Sequence, residues 1–175
     1  MGDLSEQEIQ ALIWDYYKPR HTHTWNMLVL SWRELDQWKD NTGTGFEVEY
    51  FWENFILRLW LYRTTVKTLA KLATVRTEAL TALRSFDEVF QAEGQNSLKA
   101  VRDMIEHFDD YAAGDGRGPA TRDRDLDPWR MITRDRYERG RFVLDRRESY
   151  DAAIKLRSDA KGVSDVFIQR CKSLG

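Results

Sequence analysis

One short stretch of the chain, residues 98–111, combines an apolar helical pattern with several side chains that can do chemistry. Arg102, Asp103, Glu106, His107 and Tyr111 all lie within it. An imidazole can act as an acid or a base near neutral pH, a guanidinium can bind an anion, and a carboxylate can orient an imidazole. These residue types make the stretch our candidate site for acid–base chemistry. The alternative is an ordinary charged helix surface, since pairs four residues apart also stabilise helices by a few tenths of a kcal/mol.

The apolar residues of this stretch follow helical spacing. At about 100° per residue, five of them form one narrow stripe that we expect to face the protein core: Leu98, Val101, Ile105, Phe108 and Ala112. On the same helical wheel Arg102 lies roughly 80° to one side of the stripe and His107 roughly 140° to the other. We therefore predict that both side chains point away from the core of their own chain.

Five to six amphipathic helices are predicted to carry this stretch. The predicted helices span residues 6–18, 24–39, 52–73, 76–91, 97–113 and 148–172, and Pro19 is expected to end the first of them. Residues 129–133 and 141–145 are predicted to pair as a short β-hairpin. The fold class is therefore all-α: an up-and-down bundle in one domain, 1–175, with a core bundle over 5–114 and a charged loop or hairpin over 115–147.

Composition limits the function. The 27 Lys and Arg against 29 Asp and Glu give a net charge of −2, which argues against a protein that coats nucleic acid. The charge is uneven, because residues 1–114 are acidic and residues 115–175 are basic, so a polyanion would prefer the C-terminal third. The single cysteine, Cys171, is expected to pack in the last helix, and its isolation suits the cytoplasm. We expect no membrane span and no cofactor.

The order of residues on the candidate helix resembles the HEPN superfamily. The motif of that family is an Arg and a His separated by four to six residues, with Asn, Asp or His commonly after the Arg, on a late helix of a small α-bundle. Arg102, Asp103 and His107 match this pattern, and the run Glu106-His107-Phe108-Asp109 looks like one in uncharacterised bacterial members. The resemblance covers residues 5–114.

The resemblance implies a metal-independent endoribonuclease, with RNA as substrate. It implies a homodimer in which two copies of the motif helix bring Arg and His from both chains to one phosphate. In this hypothesis His107 exchanges a proton with the ribose 2′-OH or the leaving oxygen, Arg102 holds the scissile phosphate, and Asp103 orients the imidazole. The resemblance also allows a cognate antitoxin or another protein partner.

Several further residues are predicted to help bind the substrate. They are Glu106, Tyr111, Arg134, Arg136, Arg139 and Arg141, of which the arginines would offset the acidity of the motif helix. Some HEPN toxins that are paired with a nucleotidyltransferase antitoxin have a Tyr two residues after the His. This chain has Asp109 there, so modification of a Tyr at that position is not expected.

Two alternatives remain open at this level. One is a non-catalytic HEPN-like module that binds RNA, a nucleotide or a protein, and the other is a structural bundle in which Arg102 and His107 are incidental. A second group of imidazoles, His21 and His23, lacks the further ligands that a metal site needs, and we interpret both as loop residues after Pro19.

Overall fold

The computed structural model describes residues 4–39, 45–92, 94–107 and 130–173. Within these ranges the chain forms a helical bundle with a short antiparallel sheet, so the predicted fold class is confirmed. The helices are α1 (Glu6–Gln37), α2 (Gly45–Val66), α3 (Arg76–Val89), α4 (Ser97–Glu106) and α5 (Arg146–Lys172). Two short 3₁₀ segments, Lys67–Lys71 and Ala73–Val75, join α2 to α3.

The first helix begins at a capping box and continues through a proline. Ser5 and Glu8 exchange hydrogen bonds, with the Ser5 backbone N–H donating to the Glu8 carboxylate at 2.8 Å. The predicted break at Pro19 is wrong, because α1 is one helix of 32 residues. Pro19 is exposed, so the carbonyl group that loses its partner, that of Asp15, can bind water instead. Buried side chains on both sides of it, Tyr17 and Thr24, hold the helix against the bundle.

The second helix is central to the bundle, as its regular apolar spacing predicts. Its stripe is completely buried and consists of Trp52, Phe55, Leu59, Tyr62 and Val66. The α-helix ends at Val66 rather than near Ala73, although Leu69 in the following 3₁₀ segment is still buried. In α3, Leu83 and Phe86 face the core, whereas Leu80, which the apolar spacing of this helix groups with them, is 41% exposed.

The last helix packs against α3 and runs antiparallel along α1. Its inner face carries small and medium side chains, which let the helices approach closely: Ala153, Leu156, Ala160 and Val163. Near its end the Phe167 ring lies 5.0 Å from the ring of Trp14. Cys171 is exposed, so the expectation that it packs in the interior is wrong.

The predicted hairpin near residues 129–145 is present, with one more strand than expected. Strands β1 (Gln91–Ala92) and β2 (Gln95–Asn96) lie between α3 and α4, whereas β3 (Arg130–Ile132), β4 (Arg136–Arg139) and β5 (Phe142–Asp145) form an antiparallel meander with β4 in the middle. The segment between the two predicted strands forms the central strand β4 instead of a connection. Its Tyr137 side chain is buried in the core, which holds this segment in the sheet. The indole N–H of Trp52 fastens the meander to α2 by donating to the Thr133 carbonyl at 2.6 Å.

One guanidinium joins the meander to the first and the last helix. Arg146, the first residue of α5, binds Asp36 near the end of α1 and lies 2.8 Å from a carboxylate oxygen of Asp135, in the turn between β3 and β4. Its side chain is only 13% exposed and lies over the Trp32 ring. Two charge pairs therefore fix where α5 begins relative to α1.

Candidate functional site

The candidate site lies on α4, a rigid helix of 10 residues. The helix begins at Asn96, whose side chain accepts a hydrogen bond from the Lys99 backbone N–H at 2.8 Å. Before it, the two-residue strands Gln91–Ala92 and Gln95–Asn96 pair in antiparallel fashion, and Gly94 supplies the left-handed backbone (φ +77°) that the turn needs. The start of α4 is thus determined by local sequence.

The buried face of α4 differs from the predicted stripe by about one position. Leu98, Val101 and Met104 are buried against α2 and β5, whereas Ile105 is only partly buried. The described helix ends at Glu106. The remainder of the predicted helix, residues 108–113 with Tyr111 among them, lies outside the described residues. Met104 therefore takes the buried place that was expected for Ile105, and the polar residues beside it are rotated about the helix axis by the same amount.

Arg102 does not point freely into solvent, contrary to the prediction from the helical wheel. Its side chain is 16% exposed, and its guanidinium lies 4.6 Å from the centre of the Trp60 ring on α2. The same guanidinium binds Asp103 at 3.0 Å and Glu106 one turn later. Stacking and two ion pairs therefore fix this arginine in one orientation.

Trp60 was not among the residues predicted to form the site. Its indole ring also lies 4.8 Å from the Arg63 guanidinium, which binds the Asp87 carboxylate on α3 through two nitrogens. Two arginines therefore share one indole ring, and each has its own carboxylate partner. Only the packing of α4 on α2 creates this arrangement, so no local spacing could have predicted it.

Asp103 binds two cations that precede it in the same helix. Its carboxylate lies 2.7 Å from the Lys99 ammonium group and 3.0 Å from Arg102. His107 is joined to the same residue through the backbone, since its N–H donates to the Asp103 carbonyl at 3.0 Å. The structure therefore brings Arg102, Asp103 and Glu106 together and leaves the His107 side chain exposed at the end of the helix.

The four arginines predicted to lie beside the motif are spread over the meander. Arg134 lies 3.3 Å from Asp135, and Arg136 lies 3.0 Å from Glu138. Arg139 is partly buried in β4. Arg141 approaches α4, but it donates to the Gln95 side chain at the start of that helix, whereas Arg102 and His107 lie at its end.

A second cluster of titratable side chains lies where α1 crosses α2. The Nε2 atom of His21 is 2.8 Å from the Tyr62 hydroxyl oxygen, and the His21 ring also contacts Tyr17. The expectation that His21 is a loop residue is therefore wrong, and so is that for His23, which lies exposed on the same helix. Burial and the positive charge of Arg157 lower the pKa of His21, while burial raises the pKa of Tyr62.

Two grooves lie elsewhere on the described surface. One, of about 640 Å³, lies between the end of α1 and the start of α2 and is lined by Trp38 and Phe51 among others. The other, of about 560 Å³, lies between the start of α1 and the end of α5. Among the residues of known position, no group of three or more His, Cys, Asp or Glu side chains is placed to hold a metal ion.

Comparison with known proteins adds no further assignment. The chain matches no family model, no curated protein and no solved structure. Over the described ranges, none of the helices has the length and apolar character required to cross a membrane.

Proposed function

We propose that the chain is an HEPN-like protein that acts as a metal-independent endoribonuclease through Arg102 and His107. One observation supports the proposal. Arg102 of α4 is held against the Trp60 ring of α2, and the exposed His107 lies at the end of the same helix as Arg102. The cation held in one orientation and the accessible imidazole five residues later on the same helix are the two groups that RNA cleavage without a metal requires.

In the proposed reaction, the ribose 2′-oxygen attacks phosphorus and the bond from phosphorus to the 5′-oxygen breaks. One imidazole accepts the proton of the 2′-OH, and a proton is delivered to the leaving 5′-oxygen, so that the products are a cyclic phosphate and a free 5′-OH. Arg102 offsets the charge that develops on the phosphate. Glu106 must first release the guanidinium, because it occupies the same donors.

The resemblance places the proposed reaction at a homodimer interface in which the ends of two α4 helices meet. Each chain then contributes one His107, so that one imidazole can act as the base and the other as the acid. The proposal places the protein in the cytoplasm, with RNA as substrate and a cognate antitoxin or another protein as a further partner.

The second candidate function is a non-catalytic HEPN-like module that binds RNA, a nucleotide or a protein. One observation favours it: the charges along α4 balance. Lys99 and Arg102 are each paired with a carboxylate, from Asp103 and Glu106. A phosphate that approaches this helix meets neutralised cations, which weakens the electrostatic attraction that a nuclease site needs.

The deciding experiment measures cleavage of a mixed-sequence RNA by the full chain in EDTA. We expect His107→Ala and Arg102→Ala to abolish cleavage. The matched controls are His23→Ala and Arg147→Ala, which remove an exposed imidazole and an exposed guanidinium outside the site. Circular dichroism checks the fold of Arg102→Ala, since that variant also loses its contact with Trp60.

Each outcome points to one function. Loss of cleavage in His107→Ala with retention in His23→Ala supports the nuclease. Cleavage that persists in His107→Ala overturns it. If the parent chain binds RNA without cutting it, and Arg102→Ala weakens binding more than Arg147→Ala does, the non-catalytic module is the better description.

A further inference from the structure

The outer face of α1 carries an apolar stripe that the bundle does not cover. Ile9, Leu12 and Tyr16 are 44%, 58% and 54% exposed, and they fall within an arc of about 60° on the helical wheel. The buried side chains of α1, such as Tyr17 and Leu28, lie on the other side of the helix. An apolar stripe on a helix usually faces the core, and this one does not.

Charged side chains flank this stripe at its two ends, acidic before it and basic after it. Glu6 lies one turn before Ile9, and Arg20 lies one turn after Tyr16, with its guanidinium 5.3 Å from the Tyr16 ring. Glu6 and Arg20 are on the same edge of the stripe and lie seven residues before and after position 13. Glu8 is on the opposite edge, in the same first turn as Glu6.

We propose that this stripe, defined by Ile9, Leu12 and Tyr16, binds the same stripe of a second copy of the chain in antiparallel orientation. A two-fold axis near residue 12 or 13 would place Glu6 of each copy opposite Arg20 of the other, on the same edge of the interface. A parallel pair would instead place Glu6 beside Glu8 of the other copy. The charge pattern therefore selects a second copy and its direction.

The interface is small. The stripe from Ile9 to Tyr16 is about 10 Å long, and even with its flanking charges it falls short of the area that stable dimers bury. We therefore expect a weak dimer with a dissociation constant in the micromolar range. The stripe contains neither Arg102 nor His107, so this inference is independent of the proposed nuclease and does not rest on it.

The first test measures the oligomeric state of the full chain by sedimentation equilibrium over a range of concentrations. We expect concentration-dependent self-association that Leu12→Glu weakens at least about tenfold, because the new carboxylate would lie unpaired at the axis. The matched control is Leu80→Glu, since Leu80 is an exposed leucine on α3. A chain that is monomeric at every concentration overturns the proposal and leaves the stripe to a different partner, and so does equal weakening by both variants.

Charge reversal tests the antiparallel direction. Glu6→Arg and Arg20→Glu are each expected to weaken association several-fold, because each places like charges together, and the double variant is expected to restore it. A double variant no better than the single variants overturns the antiparallel arrangement.

Cross-linking tests the position of the axis. In a Cys171→Ser background, Leu12→Cys is expected to form an intermolecular disulfide under a mild oxidant that accepts the two electrons, whereas Leu80→Cys is not. Equal cross-linking of the two variants contradicts an axis at Leu12. Neither Cys variant alters Arg102 or His107, so failure of the nuclease proposal would leave these results unaffected.

Discussion

The imidazole of His21 contacts the hydroxyl of Tyr62 at 2.8 Å, which ties the middle of α1 to the central helix of the bundle. The rings of Tyr17 and Trp25 complete the surroundings of this pair. Arg157 contributes positive charge from α5 and lies over the Trp25 ring. A protonated imidazole is disfavoured in these surroundings, so His21 is held in its neutral form.

This arrangement predicts that the protein becomes less stable in mild acid. The pKa of His21 is lower in the folded chain than the ordinary value of about 6.5, so the unfolded chain binds the proton more tightly. The contribution of His21 to the free energy of unfolding is complete above about pH 6.5, and it is lost as the pH falls below that value toward the pKa of the folded chain. Urea unfolding measured across this range should show that His21→Gln removes part of the pH dependence. His23→Gln, which removes an exposed imidazole of the same helix, is the matched control.

The proline inside α1 gives a second prediction. Proline in a helix interior costs about 3 kcal/mol relative to alanine, and Pro19 is exposed, so its replacement leaves the core unchanged. Pro19→Ala is therefore expected to raise the free energy of unfolding by up to about 3 kcal/mol. Asn26→Ala, at an exposed position of the same helix, should raise it by no more than about 0.7 kcal/mol. Equal small effects of both would contradict a continuous helix.

Pro19 also marks the limit of what local sequence could predict. The apolar spacing of α2 predicted its buried face correctly, since burial on one face leaves a periodic pattern. Whether a proline ends a helix depends on the contacts that hold the chain on both sides of it, and those contacts come from α2 and α5. The two predicted helices around Pro19 are for this reason one.

The burial of leucines tests the packing of the bundle. Leu59 is completely buried in α2, whereas Leu80 is 41% exposed on α3. Leu59→Ala is expected to lower the free energy of unfolding by about 2–5 kcal/mol, because it leaves a cavity in the core. Leu80→Ala should lower it by less than about 1 kcal/mol. Chemical denaturation measures both, and similar losses would contradict the assigned burial.

The bond between Trp52 and Thr133 makes a prediction for the meander. Trp52→Phe keeps an aromatic ring in the core but removes the only N–H group of the indole, so the Thr133 carbonyl loses its donor. We expect a loss of about 1–3 kcal/mol. The substitution should accelerate amide hydrogen exchange more at Arg136 and Tyr137 than in α3. If exchange changes equally in both places, the bond does not hold the meander specifically.

The pairing of Glu106 with Arg102 predicts how charge affects RNA binding. If the proposed function holds, Glu106→Gln should strengthen RNA binding several-fold, because it frees guanidinium donors for a phosphate. Asp151→Asn removes the same charge at an exposed position of α5 and serves as the control. Binding measured at several salt concentrations should show the larger gain for Glu106→Gln. Equal gains would mean that only the net charge matters.

The candidate site was only partly predictable. The spacing of Arg102, Asp103 and Glu106 correctly placed them together, because neighbours on a helix follow from local geometry. The orientation of Arg102 was mispredicted, since Trp60 is 42 positions away in the sequence and reaches it only when α4 packs on α2. The arginines of the meander were expected near the motif, but two of them lie instead beside acidic side chains one or two residues away in the meander itself.

The position of Arg146 has a consequence for the order of folding during synthesis. Its partner Asp36 precedes it by 110 residues, and Trp14 and Phe167 are separated by even more of the chain. While the ribosome is still making the middle of the chain, α1 can form but has none of these contacts, and much of its apolar surface is exposed to water. We therefore expect newly made chains to depend on chaperones until α5 emerges.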